Sequence, residues 1–162
     1  MKTAIIYYSM CGNTAYTAEQ ISKVLDKEVD IIEIMPVKKY PDSGFKKYFW
    51  GGKSAVMAEK PKLESYSFKA DEYNEIIIGF PVWASRPAPP ICTFAQDNKT
   101  SLQSKRISAY ACQSGAGAEK ALKNLKDLIG ISEYNAVMVL NDPKDKPNSA
   151  NDKIIKDFCS KL

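Results

Sequence analysis

Five short apolar runs, spaced too far apart for tight hairpins, constrain this chain more than any other feature. They are Thr3–Tyr8, Val29–Ile34 (V-D-I-I-E-I), Glu75–Phe80 (E-I-I-I-G-F), Arg106–Cys112 and Tyr134–Leu140 (Y-N-A-V-M-V-L). Runs of this length rich in β-branched and aromatic residues read as strands, and the near-continuously apolar third run suits burial on both faces. Helical patterns fill the gaps. Ala18, Ile21, Val24 and Leu25 recur at helical spacing within Ala15–Leu25. A helix through Ile91–Phe94 is entered by the Pro89-Pro90 pair, and Leu122, Leu125 and Leu128 mark one side of Ala118–Ile129. A last helix is predicted over Asn148–Leu162, with Ile154, Ile155 and Phe158 facing inward. Pro81 is predicted to stop the third strand and to leave Val82–Pro90 as a loop. Strands alternating with helices predict an α/β fold, doubly wound, with a five-stranded parallel sheet between two helical layers.

The 162 residues fit one domain, 1–162, long enough to bury a core without disulfides or a structural metal. There is no histidine, which removes serine–histidine and cysteine–histidine nucleophile pairs, His-ligated zinc and any histidine base. The four cysteines, at 11, 92, 112 and 159, form no C-x-x-C and read as isolated thiols in a reducing compartment. The start, M-K-T-A-I-I-Y-Y-S, lacks a cleavage site of small residues, and no apolar stretch approaches the ~18 residues of a membrane span. A cytoplasmic protein is expected.

Net charge is +4 and uneven: residues 36–70 carry eight lysines against three acids, leaving the remainder one charge negative. This long stretch between the second and third strands reads as an excursion with a short helix near Gly44–Met57. Its lysines are either a solvated loop or a docking patch for an anionic partner. Nucleic acid is not expected, because neither an RNA-binding aromatic motif nor a recognition-helix pattern is present.

In an open parallel sheet, ligands bind at the carboxyl ends of the strands. The loops after the first, third and fourth runs are therefore the places to look. In the first, Ser9-Met10-Cys11-Gly12-Asn13-Thr14 joins a strand to a helix. Gly12 permits a tight turn, the following amides and the helix dipole favour an anion, and Ser9 and Thr14 offer hydroxyls. The alternative is a plain helix cap at Asn13 or Thr14 without a ligand.

S-x-x-G-N-T directly after the first strand resembles the FMN phosphate loop of flavodoxins, whose usual pattern is S/T-x-S/T-G-x-S/T. Cys11 departs from it at the third position, where it loses a hydroxyl but leaves the backbone nest intact. Ile76-Ile77-Ile78-Gly79-Phe80-Pro81-Val82-Trp83 is similar to the family's third strand and flavin loop. Ala111-Cys112-Gln113-Ser114-Gly115-Ala116-Gly117 follows the fourth strand in the corresponding place. The resemblance runs nearly end to end, without the long insertion in the last strand found in long-chain flavodoxins. It implies strand order 2-1-3-4-5 and bound FMN. The implied contacts are Ser9, Met10, Cys11, Gly12, Asn13, Thr14 and Ala15 at the phosphate, and Pro81, Val82, Trp83 and Ala84 at the ring. Cys112, Gln113, Ser114, Gly115 and Gly117 complete the set. Trp83 is either core packing or a surface for ring stacking. The stretch Gln113–Gly117 lacks the tyrosine that many flavodoxins place there. Either Tyr48, Phe49 or Trp50 covers that ring face, or it is open.

Three competing motifs fail. Gly115-x-Gly117-x-x-Lys120 lacks the third glycine of a dinucleotide fingerprint, and Gly52-Lys53-Ser54 has Lys47 in place of the first Walker glycine. A receiver domain needs acids where Tyr7, Tyr8 and Ser9 stand. Two functions are consistent with the chain: an FMN electron carrier serving a redox partner protein, or an FMN-dependent NAD(P)H oxidoreductase reducing a quinone or another small acceptor. Either would act as a monomer or homodimer. A flavodoxin-like interaction module without flavin is the third class.

Overall fold

The computed structural model describes residues 2–41 and 59–162. The expected helix near Gly44–Met57, with Tyr48, Phe49 and Trp50, lies outside the described residues. The sheet runs β2 (Val29–Glu33), β1 (Thr3–Tyr7), β3 (Glu75–Trp83), β5 (Arg106–Gln113) and β6 (Val137–Asn141), with these five strands parallel. A two-residue strand, β4 (Arg86–Pro87), folds antiparallel onto the end of β3. With β4 set aside, the order is the 2-1-3-4-5 implied by the resemblance.

Successive strand residues point to opposite faces, so two cores form. Ala4, Ile6, Ile76, Ile78, Phe80, Ala109 and Ala111 pack with α2 (Pro89–Asp97), α3 (Lys99–Gln103) and α4 (Ala118–Ile129) through Ile91, Phe94, Leu102, Leu122, Leu125 and Ile129. Ile5, Ile77, Tyr110 and Cys112 point the other way, toward Ala18 and Ile21 of α1 (Asn13–Val24) and Ile155 and Phe158 of α5 (Ser149–Cys159). Pro36 and Leu63 pair at the base of the excursion, where Val37 N–H donates to Lys62 O at 2.9 Å. At the amino-terminal edge, buried Glu75 accepts from Lys27 Nζ (3.3 Å), Asn135 Nδ2 (3.1 Å) and Ser108 Oγ (3.3 Å), which offsets the desolvation of its carboxylate.

Several boundaries differ from expectation for identifiable reasons. Pro81 does not stop β3, which continues to Trp83. Strand β1 pairs only as far as Gly79, so a missing N–H two residues later breaks no ladder bond on that side. The buried stripe of α1 is Thr14, Thr17, Ala18 and Ile21, a full i, i+3, i+4, i+7 face, whereas Val24 is 39% exposed. In α5, Ile154 faces outward, also 39% exposed, while Ile155 and Phe158 are buried. The fifth strand starts at Val137 because Tyr134 turns aside to donate its hydroxyl to Leu122 O at 2.8 Å. Among the described residues, no helix is long and apolar enough to cross a membrane, and no His/Cys/Asp/Glu group is placed to hold a metal ion.

Candidate functional site

The loop after β1 ends at Gly12, whose φ of +90° lies in the region that L side chains rarely hold. Gly12 N–H donates to Ser9 Oγ at 3.1 Å, and α1 begins at the next residue. No side chain caps α1 and no acid stands in its first turn, so neither Asn13 nor Thr14 serves as a helix cap. The amides of Asn13, Thr14 and Ala15 thus form an uncapped, electropositive helix end. Asn13 turns its side chain to the loop after β6. Its Nδ2 donates to Asp145 Oδ2 at 2.8 Å, and its Oδ1 accepts from the amides of Lys144 (2.8 Å) and Asp145 (3.4 Å). Thr14 is buried, with its carbonyl accepting from Tyr110 OH at 3.0 Å. The Thr17 hydroxyl lies 3.6 Å from Cys112 Sγ, and Thr14 lines the cavity described below.

The end of β3 turns back at Ala84 and Ser85 into β4. Both residues have positive φ, +48° and +61°, as the two central positions of a type I′ hairpin turn require. Neither is glycine, so each costs about 1 kcal/mol that surrounding contacts must offset. Asn124 Nδ2 donates to Ser85 O at 3.3 Å, and Gly117, at φ +105°, lets Ser85 approach closely: a Cβ there would stand 2.6 Å from Ser85 Oγ. Trp83 is 9% exposed, takes edge contacts from Tyr8 (5.8 Å) and Tyr40 (5.1 Å), and also lines the cavity described below.

After β5, Gln113 Oε1 accepts from Ala118 N at 3.0 Å and so caps α4. Ser114 Oγ donates to Asp142 Oδ1 at 2.7 Å. Gly115 has open space where a side chain would be. Asp142, at φ +42°, also accepts from Lys146 Nζ at 2.9 Å. Burial pushes the Cys112 thiol up to about 11, partly offset by the hydroxyls of Thr17 and Thr14.

These loops enclose a cavity of about 540 Å³, within the range typical of cofactor sites. Ser9, Met10, Cys11, Asn13 and Thr14 form one wall, and Pro81, Val82, Trp83 and Ala84 another. Cys112, Gln113, Ser114 and Gly115 form a third. Gly12, Ala15 and Gly117 are not on the wall. Gly12 and Gly117 set the turns behind it, and Ala15 lies in the first turn of α1. Ala116, Asp142, Asp145 and Lys146 also line it and were not expected. The signal for them was available: Asn141-Asp142-Pro143-Lys144-Asp145-Lys146 leaves the carboxyl end of the last strand, the same edge as the other loops.

No curated protein matches the chain. Solved structures share its fold. The flavoprotein from Lactobacillus acidophilus NCFM, determined in complex with FMN, superposes with a TM-score of 0.71 at 22% identity, over 89% of this chain and 95% of that one. Oxidised flavodoxin 1 from Bacillus cereus gives 0.61 at 17% identity, covering 99% and 96%. Two-electron reduced Megasphaera elsdenii flavodoxin gives 0.62 at 15% identity, covering 99% of each chain. The family model described as Flavodoxin matches residues 2–153, and the chain therefore belongs to the flavodoxin family.

Proposed function

We propose that this chain binds FMN non-covalently in the cavity at the carboxyl edge of its sheet and acts as a redox protein. The observation that carries this reading is the uncapped amide end of α1 opening beside a cavity of about 540 Å³. A dianionic phosphate suits the amides of a helix whose first turn holds no acid, and an apolar ring system suits walls that include Pro81, Val82, Trp83 and Cys112. Bound flavin supplies the one- and two-electron chemistry, and the protein supplies binding, orientation and environment. On this reading the wall of Ser9, Met10, Cys11, Asn13 and Thr14 holds the phosphate and the hairpin carrying Trp83 and Ala84 borders the ring. Gly115 leaves room for close backbone approach. Gln113 fixes the start of α4 from the cavity wall.

Electron transfer to or from a protein partner is the simpler function, and the lysine surplus of residues 36–70 fits an acidic partner. The second reading, an FMN-dependent NAD(P)H oxidoreductase in the cytoplasm, draws on two observations. Gln113–Gly117 carries no aromatic residue, and the Ser114–Asp142–Lys146 hydrogen-bonded group adds polar atoms beside the cavity. Hydride transfer to a flavin needs geometry more than an acid.

The deciding experiment is the visible spectrum of the purified protein, before and after reconstitution with FMN, followed by anaerobic NADPH. Flavin absorption that persists until a reductase is added supports the carrier. Prompt bleaching by NADPH alone supports the oxidoreductase. A colourless protein that takes up no FMN defeats both.

A further inference from the structure

A second cavity, of about 280 Å³, lies between α1, the loop after β6 and the start of α5. No described residue lines both cavities. The loop gives Asp142, Asp145 and Lys146 to the larger one and Pro143 and Pro147 to the smaller. Tyr16 of α1 and Ile155 of α5 add further apolar surface, and α5 brings three polar side chains to the wall, those of Asn148, Asn151 and Asp152.

Asn148 is committed to the backbone: its Oδ1 accepts from Asn151 N–H at 3.0 Å and caps α5, and its Nδ2 donates to Lys146 O at 3.3 Å. Asn151 is different. The residue is 8% exposed, and its Nδ2 is buried with no hydrogen-bond partner among the described residues. Buried donors in folded chains are nearly always bonded, and an unbonded one is costly, so the wall of this cavity calls for an acceptor. Asp152 decides the charge of the group that supplies it. Its side chain is exposed, it forms no ion pair among the described residues, and it stands in the first turn of a helix that is already capped. A carboxylate there repels an anion and accepts from a donor.

The occupant is therefore uncharged where it meets the wall, apolar on its faces, and equipped with an acceptor for Asn151 and a donor for Asp152. An adenine base has this pattern: a ring nitrogen that accepts stands beside an exocyclic amino group that donates, the edge that asparagine side chains read in nucleic acids. We propose that the cavity is a binding site for the adenine base of a small nucleoside or nucleotide, with Asn151 and Asp152 as its reading residues. The assignment does not depend on the FMN reading, because the two cavities share no wall residue.

The test titrates the isotope-labelled full chain with adenosine, AMP and inosine at millimolar concentrations and follows backbone amide shifts. Adenosine is expected to move the signals of Tyr16 and of residues 148–155, and inosine, which carries a carbonyl in place of the amino group, to bind more weakly. AMP binding tighter than adenosine assigns the site to a nucleotide, and weaker binding to a nucleoside. In Asn151→Leu, adenosine affinity should fall about five-fold while the unfolding midpoint holds or rises, since an unbonded buried amide has been removed. Asp152→Asn, at an exposed position, should lose the preference for adenosine over inosine, and it decides the matter if Asn151→Leu fails to fold. Absence of shifts, shifts centred on residues 81–84 and 112–115 instead, unchanged affinity in Asn151→Leu, or an unchanged preference in Asp152→Asn overturns the proposal.

Discussion

Gly79 and Tyr110 face each other across β3 and β5, and the Tyr110 ring fills the space that a side chain at Gly79 would need. The ring continues beneath α1, where its hydroxyl donates to Thr14 O at 3.0 Å. A glycine in the middle of the sheet thus lets a buried tyrosine support the first turn of the helix that borders the cavity. Gly79→Ala forces the ring aside and should destabilise the fold by about 2 kcal/mol. Tyr110→Phe keeps the packing and loses one buried hydrogen bond, about 1 kcal/mol. Denaturant unfolding of both variants checks the order. A Gly79→Ala protein as stable as wild type contradicts the account.

Gly117 and Ser85 form a second close approach, this time between the β3–β4 turn and the start of α4. Gly117→Ala meets both the strain of φ +105° and the Ser85 hydroxyl. The expected cost is about 1–3 kcal/mol. Because the turn carries Trp83 and Ala84, FMN uptake should weaken along with stability, as measured by thermal melts and flavin titration of the same variant.

Cys11 and Cys112 both line the cavity, but Cys112, like Cys92 and Cys159, is held back by burial. Cys92 donates to Pro87 O at 3.6 Å, and burial pushes Cys92, Cys112 and Cys159 each up to about 11. Iodoacetamide at neutral pH should therefore modify Cys11 first, and FMN should slow that modification selectively. Peptide mass analysis with and without FMN reads both effects.

The same three thiols make stability depend on alkaline pH. Their folded values lie above the ordinary 9.0, so the folded chain keeps protons that the unfolded chain has released. Their contribution is complete below about pH 9 and is lost as pH rises toward about 11. Tyr73, pushed up to about 12 by burial and its bond to Asp30, acts in the same direction at still higher pH. Melting temperatures across this window should decline, and Cys112→Ser should make the decline shallower.

Much of the site was legible in the chain because its parts are local. A strand followed by Gly12 and an uncapped helix start, the run into Trp83, and the small residues after the fourth strand are each written in consecutive positions. The topology of a parallel sheet brings them to one edge. Side-chain roles were less legible. Gln113 and Ser114 line the cavity as the resemblance implies, and the structure adds that one also caps α4 and the other also bonds Asp142. A hydrogen bond to a backbone amide five residues away and one to a carboxylate just beyond another strand leave the same mark in a sequence.

Taken alone, the sequence determined the α/β architecture, the strand order that the resemblance implied and the edge at which the cavity opens, since periodicity and connection length are local properties and parallel pairing follows from them. Only the tertiary structure decided what depends on distant segments meeting. It extended β3 past Pro81 because β1 had already ended, and it turned Ile154 outward and Ile155 inward. It also carried the loop at 142–146 back to Asn13, more than a hundred residues earlier. Those outcomes were fixed by which surfaces remained to be buried and which polar groups remained to be paired once the sheet had formed, and no window of consecutive residues contains that information.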